Sequence, residues 1–276
     1  MTIPQHAFST LSLAIACVLL AACGCDQGPS DKGATSQPAA TRTVNVAAAA
    51  DLRYALDEVI AEFARAQPAI RVTPVYGSSG NFYSQLSSKA PFDVYLSADI
   101  DYPRKLIEAG LASRETLFEY AVGQIAVWTP NDSPVDIAAR GIESLTHPSV
   151  KKIAIANPQH APYGRAAEAA MKKLGVYDRV KDQLVLGENV AQAAQFVESG
   201  AAEAGVVALS LAVTPAMKDK GRHWVVPADA YPPLRQGGVI LSWAKDADAA
   251  GQFRAFVTGT GGAAILRRHG FAPPAQ

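Results

Sequence analysis

No cysteine follows Cys25, so no disulfide can brace the body of this chain and no cysteine-ligated metal site can form in it. There is no charge bias either, because 25 Lys and Arg balance 25 Asp and Glu. Without a basic block, nothing speaks for a nucleic-acid partner. The five histidines are scattered without metal-ligand spacing. No Ser-His-Asp arrangement and no cysteine nucleophile appears, which removes the common covalent hydrolases. No fixed-period repeat recurs, so solenoids and propellers are excluded. What is present is a sequence 49% apolar and only 18% charged. It is ample for one large or two medium lobes.

The first residues read as an export signal. Leu11 to Leu20 is apolar but too short to span a bilayer as a mature helix, and no later apolar run is long enough to do so. It leads into Leu20-Ala21-Ala22-Cys23, which resembles the lipobox of bacterial lipoproteins, where cleavage precedes a cysteine that then carries lipid. The n-region departs from the usual basic start, with only His6. We therefore expect a signal peptide over 1–22 and lipidation at Cys23. Cys17 would leave with the signal, and Cys25 would remain as an odd thiol beside the anchor. Residues 23–42, rich in Gly, Ser, Pro, Gln, Ala and Thr, read as a flexible tether.

From Thr43 onward the pattern alternates strand and helix. Strands are expected at Thr43–Ala48, Val72–Tyr76, Asp93–Ser97, Gln124–Thr129, Ile153–Ala156, Leu184–Leu186, Gly205–Ala208 and Val239–Ser242. Helices are expected at Leu52–Ala66, after Asn81, and at Tyr102–Ala109, Gly164–Leu174 and Val190–Glu198. Asp248–Thr258 and Gly261–Arg268 close the chain. Such alternation predicts an α/β architecture with largely parallel sheets. A strand-turn-helix junction recurs four times, at Ala47–Leu52, Gly77–Phe82, His160–Arg165 and Gly187–Ala191. Helix starts leave backbone N–H groups unpaired and carry the positive end of the helix dipole, so each junction is a potential anion seat. Two lobes facing each other would bring all four together at the carboxyl ends of their strands. Gly259-Thr260-Gly261-Gly262 lacks the Lys and Ser/Thr of a phosphate loop and reads as a turn before the last helix.

Five segments in order, Val46–Leu52, Tyr76–Asn81, Pro91–Asp99, Asn157–Gly164 and Gly187–Val190, together with the ending Ile265–Phe271, resemble the periplasmic molybdate-binding proteins. These are substrate-binding components of ABC importers. The resemblance implies a two-lobe periplasmic-binding-protein fold of type II, with mixed, mostly parallel sheets, crossing strands as hinge and a ligand cleft between lobes. Lobe 1 would take 43–121 plus 229–276, and lobe 2 would take 122–228. The oxyanion would be held by Ala50, Asp51, Ser79, Tyr163 and Val190, with Ser78, Asn189 and Arg165 behind them. Molybdate or tungstate would be bound as an oxyanion without direct metal ligands, and no cofactor is implied. The implied partners are the anion, a membrane permease and, through the lipid anchor, the membrane. The protein would be a periplasmic or lipid-anchored monomer.

The donor chemistry suits such a ligand, because a tetrahedral dianion offers acceptors only. Ser79 offers a hydroxyl and Tyr163 a phenolic O–H, while Ala50, Asp51 and Val190 would act through the main chain. Two departures stand out. The family often has Ser, Thr or Asn where this chain has Asp51. A carboxylate about 5 Å from the anion costs roughly 3 kcal/mol per unit charge at an effective dielectric of about 20. Asp51 must therefore turn outward, be neutral or signal a different ligand, and we expect it to cap its own helix and face away from the cleft. A tyrosine that some members carry near the fourth strand is Ala208 here, and Tyr163 would compensate. The rival reading is a binding protein or isomerase for a small di- or tricarboxylic acid on the same scaffold. Asp51 would then be its general base and Arg53 or Arg165 its carboxylate clamp, with His160 and Asn189 nearby. A structural or adhesive lipoprotein would not need four donor-rich junctions.

Overall fold

A computed structural model describes residues 42–274. The expected signal peptide and Cys23, and the tether apart from Arg42, lie outside the described residues. The first strand, β1 (Arg42–Ala49), starts one residue earlier than the sequence pattern suggests. There the Arg42 guanidinium grips Asp246 at 2.6 Å and Asp248 at 2.7 Å. From Val46 to Ala49 β1 is buried on both faces. Such a continuous apolar run is the mark of a central strand in a sheet covered on both sides.

The other strands are β2 (Ile70–Gly77), β3 (Val94–Ser97), β4 (Phe118–Gly123), β5 (Ile125–Pro130) and β6 (Ile153–Ala156). They continue with β7 (Leu184–Gly187), β8 (Ala204–Ala208), β9 (Gly221–Val225) and β10 (Leu234–Ile240). They form two five-stranded sheets, ordered β2-β1-β3-β10-β4 and β7-β6-β8-β5-β9. In the first, β1 runs parallel to β2 and β3, and β10 is antiparallel to β3 and β4. In the second, β6 runs parallel to β7 and β8, and β5 is antiparallel to β8 and β9. Both sheets are therefore mixed, each with two parallel and two antiparallel pairings and one reversed strand. The chain crosses from the first sheet to the second at Gln124 and returns through 226–233.

Two strands, β4 and β9, have no counterpart in the sequence reading. β9 is an edge strand whose Arg222, His223 and Val225 face solvent, so it lacks an apolar period. β4 is completed by the chain's own end, since Val122 and Ala272 exchange backbone hydrogen bonds at 2.8 and 2.9 Å.

Helices cover both faces. The Arg53–Ala66 helix buries Ala55, Leu56, Val59 and Phe63, one stripe at helical spacing. Phe63 meets Phe253 edge-on, ring centres 5.3 Å apart, which ties this helix to the Ala247–Thr258 helix. Each such fully buried large side chain contributes about 1.5–3 kcal/mol. The helices Ser79–Ser87, Pro162–Lys173 and Val190–Glu198 start at the carboxyl ends of β2, β6 and β7. Pro162 opens the second of these, where its missing N–H costs nothing. No helix of the described residues is long and apolar enough to cross a membrane.

Candidate functional site

All four junctions meet where the two sheets face each other. Ala50, Asp51, Ser79, Tyr163 and Val190 line one cavity of about 10 Å³, with Ser78 and Asn189 beside them. That admits the centre of a single compact group. No Lys, Arg or His lines it among the described residues. A larger, open depression of about 420 Å³ lies alongside, lined among others by Arg53, Gln192 and Glu198. It carries a guanidinium and a carboxylate, and neither Ser79 nor Tyr163 reaches it.

The local sequence decides which N–H groups remain for a ligand. At the Ser79–Ser87 helix, the Gly80 N–H donates to the His160 carbonyl at 2.9 Å. At the Pro162–Lys173 helix, Pro162 has none and the Gly164 N–H goes to Ala161. At the Val190–Glu198 helix, Asn189 caps the Ala191 and Gln192 N–H groups at 3.0 and 3.1 Å. The N–H groups of Ser79, Tyr163 and Val190 sit in the first turns with no partner among the described residues. The Ser79 hydroxyl accepts from the Ala98 N–H at 3.0 Å, which leaves its own proton to donate.

Asp51 differs from expectation. It lies in the short 3-10 turn Ala50–Leu52, and Leu52, not Asp51, holds the cap position of the following α-helix. One residue too early to cap, its side chain is buried at 1% exposure. The Tyr163 hydroxyl donates to its Oδ2 at 2.9 Å and the Gln236 amide at 2.5 Å. Oδ1 is buried and has no partner among the described residues, and the same is true of Gln236 Oε1. Desolvation pushes the carboxyl up to about 6, although the Gln236 and Tyr163 hydrogen bonds pull the other way. Tyr163 is raised well above its ordinary value by burial first and the Asp51 charge second. Its hydroxyl therefore stays protonated, with that proton directed at Asp51 in this arrangement.

Contacts from both sheets' helices hold the cleft shut. The His160 carbonyl accepts from the Ser78 hydroxyl at 2.6 Å as well as from Gly80. A Cβ on Gly80 would stand 2.5 Å from that carbonyl oxygen, so only glycine permits the approach. Arg165 pairs with Asp99 at 2.6 Å and reaches the Tyr102 hydroxyl at 3.3 Å. Asn81 reaches Glu188 at 3.2 Å, and the Ser210 hydroxyl donates to the Asp51 carbonyl at 2.9 Å. Arg53 lies over the Tyr76 ring, 5.5 Å from its centre, outside the cavity lining. Ala208 is buried and is not part of the lining. Sequence reasoning missed Gln236, Ser210, Asp99 and Gly123. A Cβ on Gly123 would collide with the Tyr163 hydroxyl and come within 2.8 Å of the Gln236 amide. The one signal for Gln236 is an amide in a short strand, between Arg235 and Gly237-Gly238.

Residues 44–272 match the family of bacterial extracellular solute-binding proteins. A molybdate-binding protein of Rhodobacter capsulatus is 36% identical over 234 residues, covering 85% of this chain and 90% of that protein. A Bacillus subtilis protein named a putative ABC transporter substrate-binding lipoprotein is 29% identical over 258 residues, covering 92% and 93%. Among solved structures, the periplasmic molybdate-binding protein of Azotobacter vinelandii superposes with a TM-score of 0.77 at 34% identity. That match covers 84% of this chain and 100% of the other.

Proposed function

This chain belongs to the bacterial extracellular solute-binding protein family, and on that premise we propose that it captures molybdate outside the cytoplasm and delivers it to an ABC permease. The observation that carries the reading is the small cavity lined by Ala50, Asp51, Ser79, Tyr163 and Val190. Three first-turn N–H groups and one hydroxyl proton suit a ligand that offers only acceptors. Helix dipoles supply positive potential without a salt bridge, which leaves release to a permease feasible. Tungstate, with the same shape and charge, would bind the same donors. Selection over sulfate would come from cavity size.

The two sheets with their helices are the lobes of this reading, closing about Gln124 and 226–233. Ser78, Asn189 and Arg165 support the site rather than touch the ligand: one holds His160, one caps a helix, one pairs across the cleft. The protein works as a monomer without a cofactor and catalyses nothing. Cys23 carries the lipid anchor, a reading supported by the lipobox and by the lipoprotein among the relatives. The carboxylic-acid alternative is not favoured. No cation lines the cavity to clamp a carboxylate, and Arg165 and Arg53 are engaged with Asp99 and Tyr76.

Calorimetry of the purified protein with molybdate, tungstate, sulfate and citrate tests this. Tight binding of the first two, with weak or no sulfate heat, is expected. No molybdate heat, with binding of citrate instead, would overturn the assignment.

A further inference from the structure

We propose that Asp51 binds a proton together with the oxyanion, so that the site takes up one proton with each anion and gives it back on release. The inference rests on the oxyanion reading above and concerns this chain's own aspartate. Asp51 is buried in the cavity lining, with two donors on Oδ2 and none on Oδ1 among the described residues.

The surroundings offer no counter-charge. β4 presents Tyr120, the Pro162–Lys173 helix presents Tyr163, and β10 presents the neutral Gln236. The turn after β8 presents Ser210, bonded to the Asp51 carbonyl oxygen. From β2 and the Arg53–Ala66 helix, Tyr76, Arg53 and Asp57 engage one another instead. The Val190–Glu198 helix contributes its first N–H to the cavity. An anion entering beside a buried carboxylate with no cation near it disfavours the ionised form. Since Oδ2 already receives two hydrogen bonds, the proton from solvent goes to Oδ1. That converts a partnerless acceptor into a donor, which is what an oxyanion site uses. Burial already holds the carboxyl near 6, so the proton is within reach at neutral pH.

The test is calorimetric titration of the purified protein with sodium molybdate between pH 6 and 8, in buffer pairs of different ionisation enthalpy. The expected uptake is about half a proton at pH 6 and about one at pH 8, with affinity falling about tenfold from pH 7 to pH 8. Asp51→Asn should take up none and lose that pH dependence. Tyr163→Phe removes a donor that favours the ionised carboxylate, so its uptake should persist with a midpoint at higher pH. Should Asp51→Asn not fold, the wild-type proton count and Tyr163→Phe decide. Tight molybdate binding without proton uptake, or unchanged uptake in Asp51→Asn, would overturn this inference alone. No molybdate binding at any pH would overturn the molybdate reading and this inference with it.

Discussion

Replacing Asp51 by Asn should stabilise the ligand-free protein at neutral and alkaline pH, although it alters a buried polar residue. Asp51 is raised from 3.8 to about 6, so the folded state favours the protonated form. At about 1.4 kcal/mol per unit, burying the ionised carboxylate costs the fold about 3 kcal/mol above pH 6. The sign follows from the direction of the shift. Stability from the protonated form is fully present below about 3.8 and is lost as pH rises through about 6. Asn keeps an oxygen to accept from Tyr163 and Gln236 and never ionises. The gain should therefore reach about 3 kcal/mol at pH 8 and vanish near pH 4. For a body of this size it corresponds to roughly 6–12 °C in Tm. Urea titrations followed by the fluorescence of Trp128, Trp224 and Trp243 at pH 4, 6 and 8 would measure it. A variant less stable than wild type at pH 8, or a gap that does not change with pH, would refute the reasoning.

Three further outcomes are expected. Ser79→Ala removes the hydroxyl proposed to donate to a charged ligand, worth about 1.5–3 kcal/mol, so the molybdate Kd should rise about 10- to 150-fold by calorimetry. Gly80→Ala places a Cβ 2.5 Å from the His160 carbonyl oxygen and should keep the lobes apart. Losing the Gly80 and Ser78 bonds to His160, at about 1 kcal/mol each, should weaken binding tenfold or more. Small-angle scattering should then show a larger radius with molybdate than wild type has. Arg165→Ala breaks a pair whose side chains are 41% and 28% exposed. Such pairs contribute about 0–1 kcal/mol, so the Kd should change less than about fivefold, and less still at high salt.

The strand-to-helix junctions were legible because their signals are local. Gly77 to Gly80, Pro162 and Asn189 each announce a helix start within a few residues, and the buried stripe of Arg53–Ala66 follows its own period. What escaped the sequence is long-range. The partners of Asp51 lie 112 and 185 residues away at Tyr163 and Gln236, and its carbonyl meets Ser210 at a separation of 159. Local capping preference therefore pointed Asp51 the wrong way, and two distant donors decided its direction. The Arg165–Asp99 pair spans 66 residues and has no motif. Strand β9 escaped for a different reason. An edge strand exposed along most of its length needs no apolar alternation, and its neighbour β5 supplies the register.

The central claim is that an oxyanion sits between the first turns of three helices from the two lobes. Crystals grown with molybdate and measured at the molybdenum absorption edge test it directly. One anomalous peak is predicted between Ser79, Tyr163 and Val190, within hydrogen-bonding distance of the Ser79 hydroxyl and of the three first-turn N–H groups. A peak in the depression beside Arg53 and Glu198, or none inside the cleft, would contradict the account.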